Sequence, residues 1–146
     1  MNTVAGLLQA KGNPRVQSIA PDDTVLEAIR RMAESNIGAL VVMRDGAVTG
    51  MVTERDYARK VILMGRSSEH ATVRDIMTTE VLYVGPHQTS EQCMALMTEN
   101  RVRHLPVMEG SRLIGLISMG DLVKDIISDQ RFTITQLEHY ISGERA

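Results

Sequence analysis

Gly50-Met51-Val52-Thr53-Glu54-Arg55-Asp56 and Gly115-Leu116-Ile117-Ser118-Met119-Gly120-Asp121 follow one pattern: a glycine, two apolar residues, a hydroxyl residue, two variable positions and an aspartate. Extended outward, the comparison sets Ile19 to Ile62 against Val84 to Ile127 without a gap, at an offset of about 65 residues. Pro21 meets Pro86, and Thr24 meets Thr89. Leu40, Val42 and Met43 meet Leu105, Val107 and Met108, and Ile62 meets Ile127. Self-similarity at a fixed spacing marks a duplicated structural unit.

Each copy predicts the same local order. Thr24-x-x-Glu27 and Thr89-x-x-Gln92 read as capping boxes, in which the hydroxyl accepts from a backbone N–H and the acid or amide reaches back. Val25, Ala28, Ile29 and Met32 then recur at helical spacing. The helix gives way near Asn36 and Asn100. The apolar runs Ala39 to Met43 and Leu105 to Met108 suit buried strands. Arg44-Asp45-Gly46 and Glu109-Gly110-Ser111 are turns. Second strands follow at Val48 to Val52 and Leu113 to Ile117, and second helices start at Thr53 and Ser118. One such βαββα unit is too small to bury an adequate core. The expected fold is therefore α+β, with two repeated units packed face to face about a pseudo-twofold axis.

Outside the copies, Thr3 to Ala10 predicts a short helix ended by Gly12 and Pro14. Met64 to Ala71 reads as a connector. Val73 to Met77 reads as another short helix, with Thr72 as its cap and a likeness to Thr3 to Leu8 that extends the repeat upstream. The expected division is residues 1–68 for the first unit with its N-terminal helix, 69–128 for the second, and 129–146 for a C-terminal helical tail. That tail carries Phe132, Ile134, Leu137 and Ile141, a partial apolar stripe for the pair or a second subunit.

The repeated pattern carries chemistry. A strand that ends at a hydroxyl residue and opens a helix presents unpaired backbone N–H groups, and with the helix dipole these favour an anion such as phosphate. The hydroxyl of Thr53 or Ser118 can donate to phosphate or bond a ribose oxygen. An ionised Asp56 or Asp121 accepts only, which suits the paired hydroxyls of a ribose. Gly50 and Gly115, without side chains, could admit a base against the strand. The same hydroxyl-to-aspartate spacing is also a capping arrangement that needs no ligand.

With the strand Leu105-Pro106-Val107, the pattern resembles the signature of the CBS domain, here as a tandem pair or Bateman module, over nearly the whole chain. The stretches Thr53 to Tyr57 and Gly65 to Ser68 further resemble a subset of stand-alone two-CBS-domain proteins. The resemblance implies a non-catalytic regulatory sensor that binds an adenine nucleotide or relative (AMP, ATP, NAD(H) or S-adenosylmethionine) in clefts between the two units. It also implies a homodimer shaped as a flat four-unit disc. It puts Arg103 and His104 near the ligand's phosphate, favouring the Ser118/Asp121 cleft, with Gly38 and Ala39 as their counterparts. Thr78 is implied to contact ribose or base, and Pro106 lines the site. In the first cleft Arg55 could serve the phosphate. Lys11 and Arg66 are further phosphate candidates, although surface cations are usually only solvated.

Composition agrees with a soluble protein. The chain of 146 residues carries a net charge of −2, which argues against a nucleic-acid surface. Four aromatic residues and ten methionines imply an aliphatic core with methionine as filler. Cys93 is the single cysteine, so no internal disulfide forms. It matches Ala28 and is expected to be buried. No signal peptide or membrane span is legible, which suggests a cytoplasmic protein with no membrane partner. The four histidines show no metal spacing, and no phosphate loop or nucleophile motif is present. No enzyme activity, metal or nucleic-acid partner is therefore expected. A regulated protein partner remains open, as does the alternative of a ligand-independent dimerisation module.

Overall fold

A computed structural model describes residues 2–141. In chain order the elements are α1 (Val4–Ala10), β1 (Ser18–Ile19), α2 (Val25–Ser35), β2 (Ala39–Arg44), β3 (Ala47–Thr53), α3 (Glu54–Tyr57), α4 (Val73–Ile76), α5 (Ser90–Asn100), β4 (His104–Glu109), β5 (Arg112–Ser118) and α6 (Met119–Ile141). The mixture of helix and strand is α+β, as the sequence predicts. The last residues of the expected tail, 142–146, lie outside the described residues.

The chain divides into two compact units. One comprises Arg15–Tyr83 with Met108–Ile114. The other comprises the N-terminal stretch up to Pro14, Val84–Val107, and the chain from Gly115 onward. The N-terminal helix, assigned from sequence to the first copy, thus groups with the second.

In the first copy β1 runs parallel to β2, and β2 runs antiparallel to β3, with Leu40 opposite Val52 and Val42 opposite Gly50. Asp45 and Gly46 turn the hairpin with φ of 53° and 79°, the pair of positive values that matches strand twist in a two-residue turn. Ile19, Val25, Ala28, Met32, Leu40, Val42, Val52 and Val61 close the core with Val73 and Ile76 of α4. Asn36 ends α2 in the left-handed conformation, φ 53°. Its counterpart Arg101 ends α5 in the same way, φ 54°. The second copy repeats the plan, with β4 and β5 paired and a parallel bridge from Val84 to Val107 in place of the short β1.

The short helices α1 and α4 show how the units are assembled. In the first copy Val73 N–H donates to Asp23 O at 2.9 Å, Arg74 N–H to Pro21 O at 2.9 Å, and Val25 N–H to Ala71 O at 2.9 Å. In the second, Val4 N–H donates to Gln88 O at 2.8 Å, Ala5 N–H to Pro86 O at 2.9 Å, and Ser90 N–H to Asn2 O at 3.0 Å. The two sets correspond bond for bond. The helix that precedes the second copy serves the first, and the helix that precedes the first serves the second.

One local expectation needs correction, and two gain detail. The box at Thr24 is half made: Thr24 Oγ1 accepts from Glu27 N–H at 3.1 Å, but the Glu27 carboxylate turns to Arg30 and Arg31 at 3.0 and 3.1 Å. At Thr89 both halves form, because Gln92 has no such cation to draw it away. The second helix of the first copy is one short α-helix, α3, that widens into a π-helical turn at Ala58–Ile62. The tail is no separate helix but the continuation of α6, 23 residues long.

Candidate functional site

The strand-to-helix turns are built alike. In the first copy Glu54 N–H donates to Gly38 O at 3.1 Å, and in the second Met119 N–H donates to Arg103 O at 2.8 Å. These bonds tie the start of α3 to the entry of β2, and the start of α6 to the entry of β4. Gly38 and buried Ala39 thereby lie beside Thr53. Arg103, exposed, and His104, half-buried, lead into β4 beside Ser118, with Pro106 buried further along the strand.

Thr53 and Asp56 cap α3 reciprocally. Asp56 N–H donates to Thr53 Oγ1 at 3.2 Å, and Thr53 N–H donates to Asp56 Oδ2 at 3.0 Å. Asp56 Oδ1 pairs with Lys60 Nζ at 3.1 Å, one turn on, and Lys60 also donates to Ile76 O at 2.9 Å. Asp56 is buried, 8 % exposed, and both of its oxygens are engaged. Arg55 is exposed on the first turn of α3.

The second copy repeats the cap and changes the cation. Asp121 N–H donates to Ser118 Oγ at 3.2 Å, and Ser118 N–H donates to Asp121 Oδ2 at 2.9 Å. Lys11, at the end of α1, donates to the same Oδ2 at 2.8 Å and to Leu116 O at 3.0 Å. Oδ1 of Asp121 keeps no hydrogen bond among the described residues. Burial works to raise the Asp121 pKa, but the Lys11 ammonium and the Ser118 N–H outweigh it and hold the carboxyl below its ordinary value.

Position for position, Asp125 replaces Lys60 in the second copy. It is buried on α6, accepts from Asn2 Nδ2 through Oδ1, and leaves Oδ2 buried without a hydrogen-bond partner among the described residues. The Lys60 bridge was legible as a carboxylate and a cation four residues apart on a helix. The Asn2 to Asp125 contact, across nearly the whole chain, left no local signal.

The glycines have another task than the one expected. A Cβ on Gly50 would stand 2.7 Å from Thr78 O, and one on Gly115 would stand 2.5 Å from a Leu8 methyl. Both glycines admit the crossed-over segment rather than a base. Thr78 is held there by exchanging backbone bonds with Met51, at 2.8 and 2.9 Å. In the second unit Lys11 Nζ takes the matching place, on the carbonyl of Leu116. Arg66 is not part of this cluster. It follows the far end of the helical stretch, where its N–H caps Val61 O at 2.9 Å, and it lines a surface depression with Ser67, His70, Ala71 and Asp75. Hydrogen bonds from the Thr72 backbone and hydroxyl lower the Asp75 pKa, and Arg66 and Arg74 add to this.

Cys93 is fully buried, as expected, and burial pushes its thiol pKa up, away from reactivity. Among the described residues no cluster of His, Cys, Asp or Glu could hold a metal ion, and no helix is long and apolar enough to cross a membrane.

Comparison with known proteins places this geometry. The model of the CBS domain family matches residues 12–62 and 73–128. The CBS domain-containing protein CBSX3, mitochondrial, of Arabidopsis thaliana is 40% identical over 149 aligned residues, covering 97% of this chain and 72% of that one. The structure of a CBS-domain protein from Burkholderia ambifaria superposes with a TM-score of 0.86 at 53% identity, covering 88% of this chain and 96% of the other. The CBS domain pair of protein MJ0100, in complex with 5′-methylthioadenosine and S-adenosyl-L-methionine, shares the fold with a TM-score of 0.76 at 18% identity, covering 88% and 98%.

Proposed function

This chain belongs to the CBS-domain proteins, as a tandem pair, and from that premise we propose that it is a non-catalytic regulatory module that senses an adenine nucleotide of the AMP, ATP or NAD(H) type. The observation that carries the reading is the second strand-to-helix turn. There Asp121 is held ionised beside Lys11, with Oδ1 free of hydrogen bonds among the described residues, one turn after a hydroxyl at a helix start. An open carboxylate oxygen takes a ribose hydroxyl, and Lys11, with the positive end of the helix dipole, attracts a phosphate. Arg103, just before β4, adds a cation beside Ser118, and His104, the first residue of β4, adds an imidazole. The first turn has the same parts, but Lys60 has already filled Asp56, so the second turn is the stronger site. That a pair of this fold holds adenosine-bearing ligands in MJ0100 supports the ligand class. Thr53, Arg55, Thr78, Gly38 and Ala39 form the weaker site. Arg66 would contribute only through its own depression. We place the protein in the cytoplasm as a homodimer whose partner surface responds to occupancy.

The test is the melting temperature with millimolar AMP, ADP, ATP, NAD, NADH or S-adenosylmethionine. A ligand confined to the folded state at a hundredfold excess over its Kd adds about 2.7 kcal/mol. Asp121→Ala should remove most of the gain and Asp56→Ala little. A gain that survives Asp121→Ala would refute the assignment. A second reading, an interaction module independent of ligand, is favoured by the exposed apolar residues of α6. The absence of any shift with all six ligands would select it.

A further inference from the structure

The inner face of the first turns of α6 packs against α5 and α1, burying Leu122 and Asp125. From Ser128 to Ile141 nearly every side chain of the helix is exposed. A helix of this length without a packed face is marginal in water. It nevertheless carries an ordered apolar seam. Val123, Ile127, Gln130, Ile134, Leu137 and Ile141 follow one another in steps of four and three, the spacing of a coiled-coil interface. The five apolar members are between 41% and 82% exposed. Phe132, part of the stripe read from sequence, falls outside this seam.

We propose that the seam is covered by α6 of a second copy of this chain, running antiparallel to the first. The argument for a second copy is self-complementarity. Set antiparallel, Ile127 meets Leu137, Ile134 meets Gln130 and Ile141 meets Val123, so that all six seam positions are matched. In that register Lys124 comes opposite Glu138 at both ends, and half-buried Ile126 comes opposite Tyr140, which is 82% exposed alone. A parallel pair would set Ile126 by Arg131 and Thr133 by Glu138, with no opposite charges across the seam. The antiparallel pair does bring two Arg131 residues together at its centre, a repulsion that salt screens. The inference gives a surface to the proposed homodimer and is independent of nucleotide binding.

The experiment uses the full chain with Cys93→Ala, the residue of the other copy, and a nitroxide label at Phe132→Cys or at His139→Cys. The two labels share one heptad position. The expected result is a short distance between labels at 132 and a longer one at 139, from an axial offset of about 20 Å at 1.5 Å per residue. Ile134→Asp with Leu137→Asp should abolish both distances, weaken self-association on the order of a hundredfold, and leave the melting of the body in place. Equal distances at the two sites would overturn the antiparallel pairing in favour of a parallel one. A dimeric mass without either distance would overturn the seam while leaving self-association to another surface. A monomer at every concentration would overturn both.

Discussion

At the start of α3 the cation for the aspartate comes from the same helix, one turn on. At the start of α6 it comes from the far end of the chain. Asp56 with Lys60 is a local arrangement that forms wherever that helix forms. Asp121 with Lys11 exists only while α1 is docked on the second copy. Duplication kept the hydroxyl and the aspartate and let their surroundings diverge. In one turn both carboxylate oxygens are engaged, and in the other Oδ1 has no hydrogen bond among the described residues while the cation comes from another helix.

The largest way to break this comparison is to remove residues 2–11. Val4, Leu7 and Leu8 are at most 5% exposed, and burying such side chains contributes about 1.5–3 kcal/mol each. The expected loss is several kcal/mol. Hydrogen exchange should accelerate in α5 and β5, which belong to the second copy, and much less in β2 and β3. Faster exchange confined to the first copy would contradict the crossed assembly.

Next come the glycines. Gly50→Ala pushes a methyl against a backbone carbonyl, whereas Gly115→Ala meets the end of a leucine side chain. Overpacking of this kind costs about 1–3 kcal/mol, and chemical denaturation should show Gly50→Ala at the upper end. Leu8→Ala should relieve Gly115→Ala and leave Gly50→Ala unchanged. Equal penalties with no relief would show that the strands, not their neighbours, set the requirement for glycine.

The cations give a smaller contrast. Lys60→Met leaves a buried Asp56 oxygen without a partner, a loss of about 1–3 kcal/mol. Lys11→Met should cost less, about 0–1 kcal/mol, since Asp121 Oδ2 still accepts from the Ser118 N–H once the lysine is gone. The smallest effect is in pH. The folded pKa of Asp121 is lowered, so the unfolded state binds its proton first on acidification. The stabilisation is complete above the ordinary carboxylate range and is lost as pH falls through the lower folded value. The gap in stability between wild type and Lys11→Met should therefore close in strong acid. A gap that stays constant with pH would mean that Lys11 acts through packing alone.

Much of this was legible in the sequence because it is periodic or local. The strands and helices of both copies follow from apolar spacing, the turn at Asp45-Gly46, and the caps at Thr53, Thr89 and Ser118. Features that join distant stretches were not. Nothing near Thr3 says that α1 belongs with Gln88 rather than with Asp23, because the two settings offer equivalent backbone partners. The tasks of Gly50 and Gly115 depend on which segment lies over them, and Asn2 with Asp125 is a meeting of chain ends. The Glu27 half of its box failed through competition, since Arg30 and Arg31 lie within reach of the carboxylate.

The crossing of α1 and α4 also sets an order of assembly. During synthesis α1 emerges first, yet its partners Pro86 and Gln88 and the strand β5 come much later. Seven residues cannot hold a helix by themselves. Val4, Leu7 and Leu8 therefore wait, uncovered, until the second copy has left the ribosome. Residues 15–83, by contrast, bring their own α4 and can gather as they appear. Docking of the first helix and completion of the second copy are then a single late event, with a loop of most of the chain to close.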